Sequence, residues 1–367
     1  MKLLAEQRIK RRRSRQIHVG SIVIGGNAPV SVQTMTKTDT RDVRATVAQI
    51  REVQALGCDI VRLAVPDEAA AKALGKIRKQ VTIPLIADIH FDHKLALIAL
   101  EAGIDGLRIN PGNIGGVAKV KEVVAAARER KVPIRIGVNS GSLEKDIAKK
   151  HGGPTPKALV ESALRHVRLL EDLNYREIKI AVKASDVRRT IEAYRLLAAK
   201  TDYPLHLGVT EAGTLLPGTV RSSVAIGILM NEGIGDTIRV SLTDTPAIEV
   251  KVGLELLRCL RLRGPGPNVI SCPTCGRIQV DVVRVAKAVE EELEKYYIAY
   301  PAAPRPVVAV MGCMVNGPGE AQHADIAIAG GKGKFALYLR GKLVKTIPQS
   351  KAAAAVLDCV RKWRKGM

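Results

Sequence analysis

The sequence predicts an α/β protein in which an N-terminal (β/α)8 TIM barrel is followed by a smaller α+β domain. Three observations lead to this prediction. Short apolar segments rich in β-branched residues recur between residues 30 and 242. Segments with helical spacing and many Ala, Leu, Lys and Glu residues separate them. Glycine and proline then interrupt the pattern at 264–267, where neither residue type continues a helix.

The alternation of strands and helices predicts parallel βαβ units, and eight such units close naturally into a barrel. A doubly wound open sheet is disfavoured because no GxGxxG follows the first strand. Residues 17–24 are expected to form a hairpin at the bottom of the barrel. The predicted strands are 30–34, 60–65, 83–87, 105–109, 133–138, 177–182, 204–209 and 237–241, and the predicted helices include 42–56, 116–131, 156–173, 186–200 and 246–262.

The predicted domain boundaries follow from the Gly-Pro interruption. They are a barrel domain over 1–263, a linker over 264–268 and a second domain over 269–367. Within the second domain the pattern predicts a helix near 280–295 and a closing helix near 350–364. It also predicts strands near 306–310, 324–329 and 335–346.

Charge favours an anionic partner, because 58 Lys and Arg residues face 36 Asp and Glu residues, a net charge of +22. Nucleic acid is disfavoured as that partner, since aromatic residues make up only 3% and do not interleave with the basic ones. The seven cations of residues 1–15 are expected to be solvated. No apolar run approaches the roughly 18 residues of a membrane span, and no signal-peptide core is seen. We therefore expect a cytoplasmic protein without a membrane or nucleic-acid partner.

Polar side chains alternate with apolar ones on the later strands, and side chains two positions apart share one face. The apolar face must meet the helices, so the polar set is expected to point into the barrel near the carboxyl ends of the strands, where barrel active sites lie. This set comprises Arg62, Arg108, Asn110, Arg135, Asn139, Lys183, His206, Arg239 and Ser241.

This polar set has an excess of positive charge, because the obvious acids nearby are only Asp88 and Glu211. Burying it without a counter-ion would cost several kcal/mol, so a small phosphate or diphosphate ligand is favoured over an ion-paired interior. Glu211 is expected either to act as an acid or base or to pair with an arginine. Asp88 and His90 are a weak metal signal, since no third ligand accompanies them.

Three cysteines lie in two tight loops and predict a metal site. Cys272 and Cys275 form a CxxC, and Cys313 lies in a second Gly-rich turn. Zinc would need a fourth closed ligand, and a 4Fe–4S cluster normally takes four thiolates. Glu320, seven residues after Cys313, offers an exchangeable carboxylate, but these residues alone leave zinc and iron–sulfur both open. The remaining cysteines, Cys58, Cys259 and Cys359, are interpreted as small core residues.

Several longer segments resemble the 4-hydroxy-3-methylbut-2-enyl diphosphate synthase family of the methylerythritol phosphate route to isoprenoids, in its two-domain bacterial form. They include ADIHFD, LRINPGNIG, RIGVNSGSLE, YPLHLGVTEAG, SCPTCGR and MGCMVNGPGEA, and the resemblance covers about residues 17–332. Two segments differ from the residues more common in the family, namely Thr34 with Lys37, and Asp244-Thr245-Pro246.

The resemblance implies that the substrate is 2-C-methyl-D-erythritol 2,4-cyclodiphosphate. Ring opening and loss of a hydroxyl as water would use two electrons, passed singly through a 4Fe–4S cluster from ferredoxin or flavodoxin. It further implies that Cys272, Cys275, Cys313 and Glu320 hold the cluster and that Asn316 lies beside it. Glu211 matches a glutamate near the substrate hydroxyls, and the polar strand residues match the diphosphate cradle.

The resemblance also implies a head-to-tail homodimer whose active site is shared between chains. A linker of four to eight residues reaches only about 13–26 Å, which agrees with a cluster domain that covers the partner's barrel. Two alternatives stay open: a zinc-stapled nucleic-acid-binding protein, and a barrel enzyme acting on a sugar phosphate with an incidental zinc.

Overall fold

A computed structural model gives the fold and describes residues 9–110, 114–264, 266–313, 315, 319 and 322–363. The chain divides into two compact units, Met1–Arg263 and Gly264–Met367. In the described ranges, no helix combines the length and the apolar character needed to cross a membrane.

The first unit is built on eight parallel strands, β3 to β10, preceded by the antiparallel hairpin of β1 (Ile17–Val19) and β2 (Ile22–Ile24). The sheet order is β8-β7-β6-β5-β4-β3-β10-β9, and a parallel bridge between Ile180 and Leu205 joins its two ends. The predicted eight-stranded barrel is therefore confirmed. The strands are β3 Ser31–Met35, β4 Ile60–Ala64, β5 Leu85–Asp88, β6 Gly106–Ile109, β7 Ile134–Asn139, β8 Ile178–Lys183, β9 His206–Leu207 and β10 Thr237–Ile238.

Strands β9 and β10 are much shorter than the sequence pattern predicts. The chain after β9 approaches β10 so closely that a Cβ at Gly208 would lie 2.5 Å from the Arg239 carbonyl oxygen. The Asp236 carboxylate also accepts the Leu205 N–H at 2.9 Å, in place of a ladder bond. Local crowding and side-chain bonding thus shorten the regular ladder on this side of the barrel.

Helices follow the barrel strands and begin soon after each strand ends. At six helix starts a side chain accepts a hydrogen bond from a backbone N–H group that has no partner within the helix. The accepting residues are Asp42, Asp67, Asp92, Thr155, Asp186 and Thr245. The helices are α1 Val43–Ala55, α2 Glu68–Arg78, α3 His93–Glu101, α4 Val117–Glu129, α5 Lys145–His151, α6 Pro156–Asp172, α7 Val187–Ala198, α8 Leu215–Asn231 and α9 Pro246–Cys259.

The hairpin packs against the amino-terminal end of the barrel. Ile17, Val19 and Ile24 form one apolar cluster with Ile60 and Ile86 of the barrel interior. This apolar floor leaves the polar interior positions above it, toward the carboxyl ends of the strands.

The described part of the basic arm before the hairpin, residues 9–15, is not simply solvated, which corrects the expectation for these residues. Arg11 Nη2 lies 3.0 Å from Asp236 Oδ1, and Arg12 donates to the Tyr203 carbonyl oxygen at 2.6 Å. Both guanidinium groups are largely buried. Charge composition alone could not show these partners, because they come from loops more than 180 residues away.

The second unit has a five-stranded sheet in the order β11-β12-β13-β14-β15, and two helices of its described residues pack on this sheet. Strands β11 to β13 are parallel, β14 is antiparallel to β13, and β15 is antiparallel to β14. Apolar residues of both helices, including Val289 and Val356, pack on one face of the sheet. The elements are β11 Asn268–Ser271, α10 Val282–Ala299, β12 Val307–Met311, β13 Ile326–Gly331, β14 Lys334–Leu339, β15 Lys342–Pro348 and α11 Ala352–Lys362.

The single strand expected near 335–346 is instead the hairpin β14–β15. Arg340 and Gly341 have φ of 48° and 75°, and two successive positive φ values are typical of a type I′ turn. Strand β11 was not predicted, because its four residues are largely exposed and carry no alternation of burial.

A cationic barrel pocket and a cysteine-bearing sheet edge

A cavity of about 280 Å³ opens at the carboxyl ends of the barrel strands and is called the barrel pocket here. Its lining side chains point inward because residues two positions apart on a strand share one face. Seven of the predicted polar residues line it. Its lining is Met35, Arg62, Asp88, His90, Arg108, Arg135, Gly137, Asn139, Ala181, Lys183, Thr210, Arg239 and Ser241.

Asp88 is one of two carboxylates that, within the described chain, pair with cations of the barrel pocket. Its oxygens lie 3.5 Å from Arg62 Nε and 3.1 Å from Arg108 Nη1. Burial alone would raise the Asp88 pKa, but Arg62, the hydrogen bond with His90 and Arg108 together hold that pKa well below its usual range. Arg108 also donates to the His90 ring at 2.8 Å, so the Asp88–His90 pair belongs to an ion-pair network.

The second carboxylate is Glu249 of α9, which the sequence analysis missed. Glu249 is 2% exposed, and its oxygens lie 3.6 Å from Arg239 Nη2 and 3.2 Å from Lys37 Nζ. Thr34 Oγ1 donates to the same carboxylate at 2.8 Å. Helical spacing was the available signal, because it places Glu249 on the buried face of α9 beside Val250.

The two segments whose residues differ from those more common in the family meet at Glu249. Thr34 and Lys37 both contact Glu249, and Lys37 Nζ also donates to the carbonyl oxygens of Leu242, at 2.6 Å, and Asp244. Hydrogen bonds therefore join the two departing segments beside one buried carboxylate, that of Glu249.

Arg135 and Lys183 have no carboxylate within salt-bridge distance in the described part of the chain. They are 3% and 7% exposed. Burial, followed by the neighbouring arginines, lowers the pKa of each well below its ordinary value. Among the described residues, five cations line the barrel pocket and two carboxylates, Asp88 and Glu249, pair with three of them. An anionic ligand would correct this imbalance.

Two glycines on the barrel interior leave room for these cations. A Cβ at Gly137 would lie 2.8 Å from Arg108 Nε, and one at Gly208 would lie 2.5 Å from Lys183 Nζ. Real Cβ atoms do not approach so closely, so the cations occupy space that only glycine leaves open.

Three of the site residues predicted in the barrel do not line the barrel pocket. Asn110 is buried just beyond β6, and Glu211 is exposed with φ of 52°, directly after the pocket residue Thr210. His206 is fully buried, and its Nδ1 bonds Thr237 Oγ1 at 2.5 Å. Burial and then Lys183 lower the pKa of His206 well below its ordinary value.

A buried polar layer lies on the same inner faces as the barrel pocket, nearer the floor. Lys179 is 2% exposed and pairs in register with Arg135. Within the described chain its Nζ, like the side chains of Ser31 and Gln33, has no hydrogen-bond partner. Burial and then Arg135 lower the Lys179 pKa well below its ordinary value. The sequence signal for an inward-facing Lys179 was the two-residue period of β8, which places Lys179, Ala181 and Lys183 on one face.

Cys272, Cys275 and Cys313 lie in loops that follow the carboxyl ends of parallel strands, and this end of the sheet is called the cysteine edge. Strands β11 and β12 are parallel neighbours, with Ser271 opposite Val310, so the loops after them start side by side. Cys272 follows β11 directly, and Cys313 follows β12 by two residues. The Gly312 N–H donates to Cys272 Sγ at 3.2 Å, which ties the two loops together.

The donor set at this edge fits a soft metal centre or an iron–sulfur cluster. Cys272 is half-buried, Cys275 exposed and Cys313 buried, and backbone N–H donors to sulfur are a feature of cluster sites. Among the described residues, no group of three His, Cys, Asp or Glu side chains is already gathered as a metal site. The predicted Glu320 and Asn316 lie outside the described residues.

The other cysteines are distinct from this set. Burial raises the pKa of Cys58 to about 12, which suits an inert core thiol. Cys259 is exposed at the last position of α9, so its interpretation as a core residue is wrong. The helical pattern did not show that this end of the helix reaches the surface.

Comparison with known families covers nearly the whole chain. Residues 14–254 match the family described as "GcpE TIM-barrel domain", and residues 268–362 match "GcpE protein C-terminal domain". A protein of Geobacter sulfurreducens named 4-hydroxy-3-methylbut-2-en-1-yl diphosphate synthase (flavodoxin) is 59% identical, over 95% of this chain and 98% of that relative. A relative of the same name from Thermodesulfovibrio yellowstonii is 54% identical, over 96% and 100%.

Among solved structures, a Plasmodium falciparum HPPK-DHPS chain aligns with a TM-score of 0.51 at 11% identity. The alignment covers 70% of this chain and 52% of that one. At this identity the likeness concerns the fold alone.

Proposed function

Since this chain belongs to the GcpE family, we propose that it catalyses the reaction for which its relatives are named, the formation of 4-hydroxy-3-methylbut-2-en-1-yl diphosphate. The proposed substrate is 2-C-methyl-D-erythritol 2,4-cyclodiphosphate, which is reductively opened and dehydroxylated. One observation carries this proposal: a small barrel pocket in which Arg135 and Lys183 lack carboxylate partners among the described residues.

The barrel pocket is proposed to hold the diphosphate. Arg135 and Lys183 would supply the charge that the phosphates neutralise, and Arg62, Arg108 and Arg239 would bind while still anchored by Asp88 and Glu249. Asn139 and Ser241 line the same pocket and offer neutral donors. Asn110, just beyond the carboxyl end of β6, is proposed to bind the diphosphate as well. His206 is proposed to act from beneath by fixing its neighbours through Thr237.

Glu211 and Asn316 are the proposed catalytic residues. Glu211 immediately follows the pocket residue Thr210, which supports a role at the hydroxyl groups of the substrate. A carboxylate at that position can anchor a hydroxyl or transfer a proton to it. Asn316 stays a prediction from the resemblance, beside the proposed cluster.

We propose that Cys272, Cys275, Cys313 and Glu320 hold a 4Fe–4S cluster. When bound, such a cluster supplies the two electrons of the reductive step one at a time. The protein's own contribution is to present thiolates from two adjacent loops, with the Gly312 N–H directed at Cys272 Sγ. Replacing Cys275 by Ser is expected to lose most of the iron, whereas Glu320→Ala should retain much of it with a changed spectrum.

The proposed electron donor is flavodoxin, the donor in the names of the relatives, with ferredoxin as the alternative. We also propose that the chain works in the cytoplasm, where thiols stay reduced. The absence of any disulfide among its six cysteines agrees with this location.

A homodimer with a shared active site is proposed, and one surface supports it. Helix α8 exposes a stripe at four-residue spacing in which Leu216, Val220 and Val224 are 74%, 53% and 44% exposed. Large apolar side chains that line up on one helix face are a common feature of interfaces. We propose that a second copy of the chain covers this stripe.

Anaerobic turnover tests the proposed function. The protein is reconstituted with iron and sulfide and mixed with the cyclodiphosphate and reduced viologen dye, and the product is followed by phosphorus NMR. We expect 4-hydroxy-3-methylbut-2-enyl diphosphate from the wild type and none from Cys275→Ser. A colourless protein with stoichiometric zinc would contradict the proposal, and turnover without a reductant would favour a sugar-phosphate enzyme with an incidental zinc.

A further inference from the structure

We infer that the electron donor docks on a cationic surface formed by Lys332, Lys334 and Lys351, at the cysteine edge of the second unit, and that this surface takes an acidic electron-transfer protein. The inference rests on the proposed function, because it names the surface through which that function receives electrons. The observations that carry it are the hydrogen bonds that join this surface to the cysteine loops, and its uncompensated charge.

The turn between β13 and β14 is bonded to the cysteine loops. The Lys332 N–H donates to Gln279 Oε1 at 2.9 Å, and the Gly333 N–H donates to the Gln279 carbonyl oxygen at 3.3 Å. The Gln279 N–H in turn donates to the Gly312 carbonyl oxygen at 3.1 Å. Because the Gly312 N–H reaches Cys272 Sγ, a continuous path of hydrogen bonds runs from Lys332 to a proposed cluster ligand.

Sheet topology places the lysines at the same edge as the cysteines. Strand β13 is parallel to β12, with Ala329 opposite Met311, so both strands end on the side where Cys313 lies. Strand β14 begins there with Lys334, which is opposite Pro348 at the end of β15. Lys351 follows Pro348 by three residues.

The charge of this region is one-sided. Residues 326–357 contain six Lys or Arg residues and no Asp or Glu. All six are exposed, and within the described chain none has a carboxylate within salt-bridge distance: Lys332, Lys334, Arg340, Lys342, Lys345 and Lys351. Uncompensated cations attract an acidic partner and speed the encounter with it.

Proximity to the thiolates separates the docking lysines from the other cations. Arg340 and Lys342 lie at the opposite end of β14, six residues away, which is roughly 20 Å along a strand. Arg340 also lies over the Trp363 ring at 5.1 Å, which gives it a structural contact. Delivering single electrons needs a brief, close approach to the thiolates, so the near cations should control it.

The turns at the two ends of β14 provide a matched pair of variants. Lys332-Gly333 and Arg340-Gly341 both turn with successive positive φ values, and Lys334 and Lys342 each begin the strand that follows. The test variant is Lys332→Glu with Lys334→Glu, and the control is Arg340→Glu with Lys342→Glu. Both variants change the net charge equally and at equivalent backbone positions.

Both variants are assayed as reconstituted holoenzyme with reduced flavodoxin and, separately, with reduced methyl viologen. We expect the test variant to raise the KM for flavodoxin about 10-fold or more, whereas the control changes it less than about 2-fold. Viologen-driven turnover should be unchanged in both, and added salt should raise the wild-type KM and reduce the difference. Lys332→Arg with Lys334→Arg should behave as wild type.

Equal effects of the two variants on the flavodoxin KM would overturn the inference, as would no effect of the test variant. If the glutamate pair does not fold, the same comparison is made with Gln at these positions. If the wild type shows no viologen turnover, the proposed function has failed. The docking surface is then judged by flavodoxin binding alone, where equal Kd values for test and control would overturn it.

Discussion

Lys179 and Lys183 lie four residues apart on one face of β8, yet their surroundings give them different roles. Both are nearly inaccessible, and burial followed by Arg135 lowers the pKa of each amine well below its ordinary value. Lys183 lines the barrel pocket, where an anion would stabilise its charged form. Lys179 does not line the barrel pocket, and its Nζ lacks a hydrogen-bond partner in the described chain. Burial of this amine therefore lowers the stability of the fold, and ligand binding in the pocket does not offset that cost.

Replacing Lys179 by Met is therefore expected to stabilise the barrel by about 1–3 kcal/mol at pH 7. Burial in the folded state lowers the pKa of this amine, whereas the unfolded chain holds its proton up to a pKa of about 10.4. Wild-type stability should consequently rise with pH between the lowered pKa of the folded state and about 10.4. The gain in stability from Lys179→Met should therefore shrink toward pH 10.

Denaturant unfolding at pH 7 and pH 10 measures this difference. Lys200→Met, at an exposed position, is the matched control and should leave stability nearly unchanged at both pH values. A Lys179→Met protein less stable than the wild type at pH 7 would show that the amine makes a stabilising interaction.

Strands explain why so much of the barrel pocket could be predicted. The two-residue period is fixed by the backbone, so Arg135, Asn139 and Lys183 could be assigned to the interior from their spacing alone. Glu249 belongs to a helix that meets the same pocket from outside, and its contact with Arg239 depends on tertiary packing. The hairpin turn at Arg340 was missed because its first residue is not a glycine.

Substitution of one strand glycine tests the packing of the pocket. Gly208→Ala would place a methyl group 2.5 Å from Lys183 Nζ and from the Arg239 carbonyl oxygen, so both Lys183 and the backbone at Arg239 must shift. We expect the KM for the cyclodiphosphate to rise about 10-fold, since one charge-assisted contact is worth roughly 1.5–3 kcal/mol.

Gly75→Ala in α2 is the control for this change. Its Cβ would meet Ala102 Cβ at 3.8 Å, an ordinary contact, and substrate affinity should be unaffected. Wild-type kinetics for Gly208→Ala would mean that Lys183 does not bind the substrate from its position in the structure.

The exposed stripe of α8 gives a prediction about assembly. Leu216→Glu with Val220→Glu introduces charge where the proposed second copy packs, and we expect monomers in sedimentation experiments. Val117→Glu with Val283→Glu alters exposed apolar residues elsewhere and should leave the dimer intact. A wild-type monomer, or a dimer that survives the α8 changes, would contradict the proposed interface.

At the scale of the whole molecule, the two units provide different parts of the proposed reaction. The first unit holds the cationic pocket, and the second holds the cysteine loops. Either unit can therefore be inactivated by a single substitution that leaves the other intact. This separation allows the proposed sharing of the active site between chains to be tested.

Subunit mixing is the test of a shared site. Glu211→Gln and Cys313→Ser should each be inactive alone, and exchange should produce heterodimers in which one of two sites is intact. Part of the activity is then expected to return. Demonstrated exchange without recovered turnover would mean that each chain completes its own site.

The most direct test of the central claim, that the under-neutralised cations of the barrel pocket hold a diphosphate, is a calorimetric titration. The cyclodiphosphate is added to the reconstituted protein at pH 8 without a reductant, in two buffers of different ionisation enthalpy. We expect saturable binding with net proton uptake, because an anion raises the lowered Lys183 pKa. Lys183→Met should bind at least about 10-fold more weakly and take up fewer protons, whereas Lys200→Met should match the wild type. Equal affinity and equal proton uptake in wild type and Lys183→Met would contradict the account.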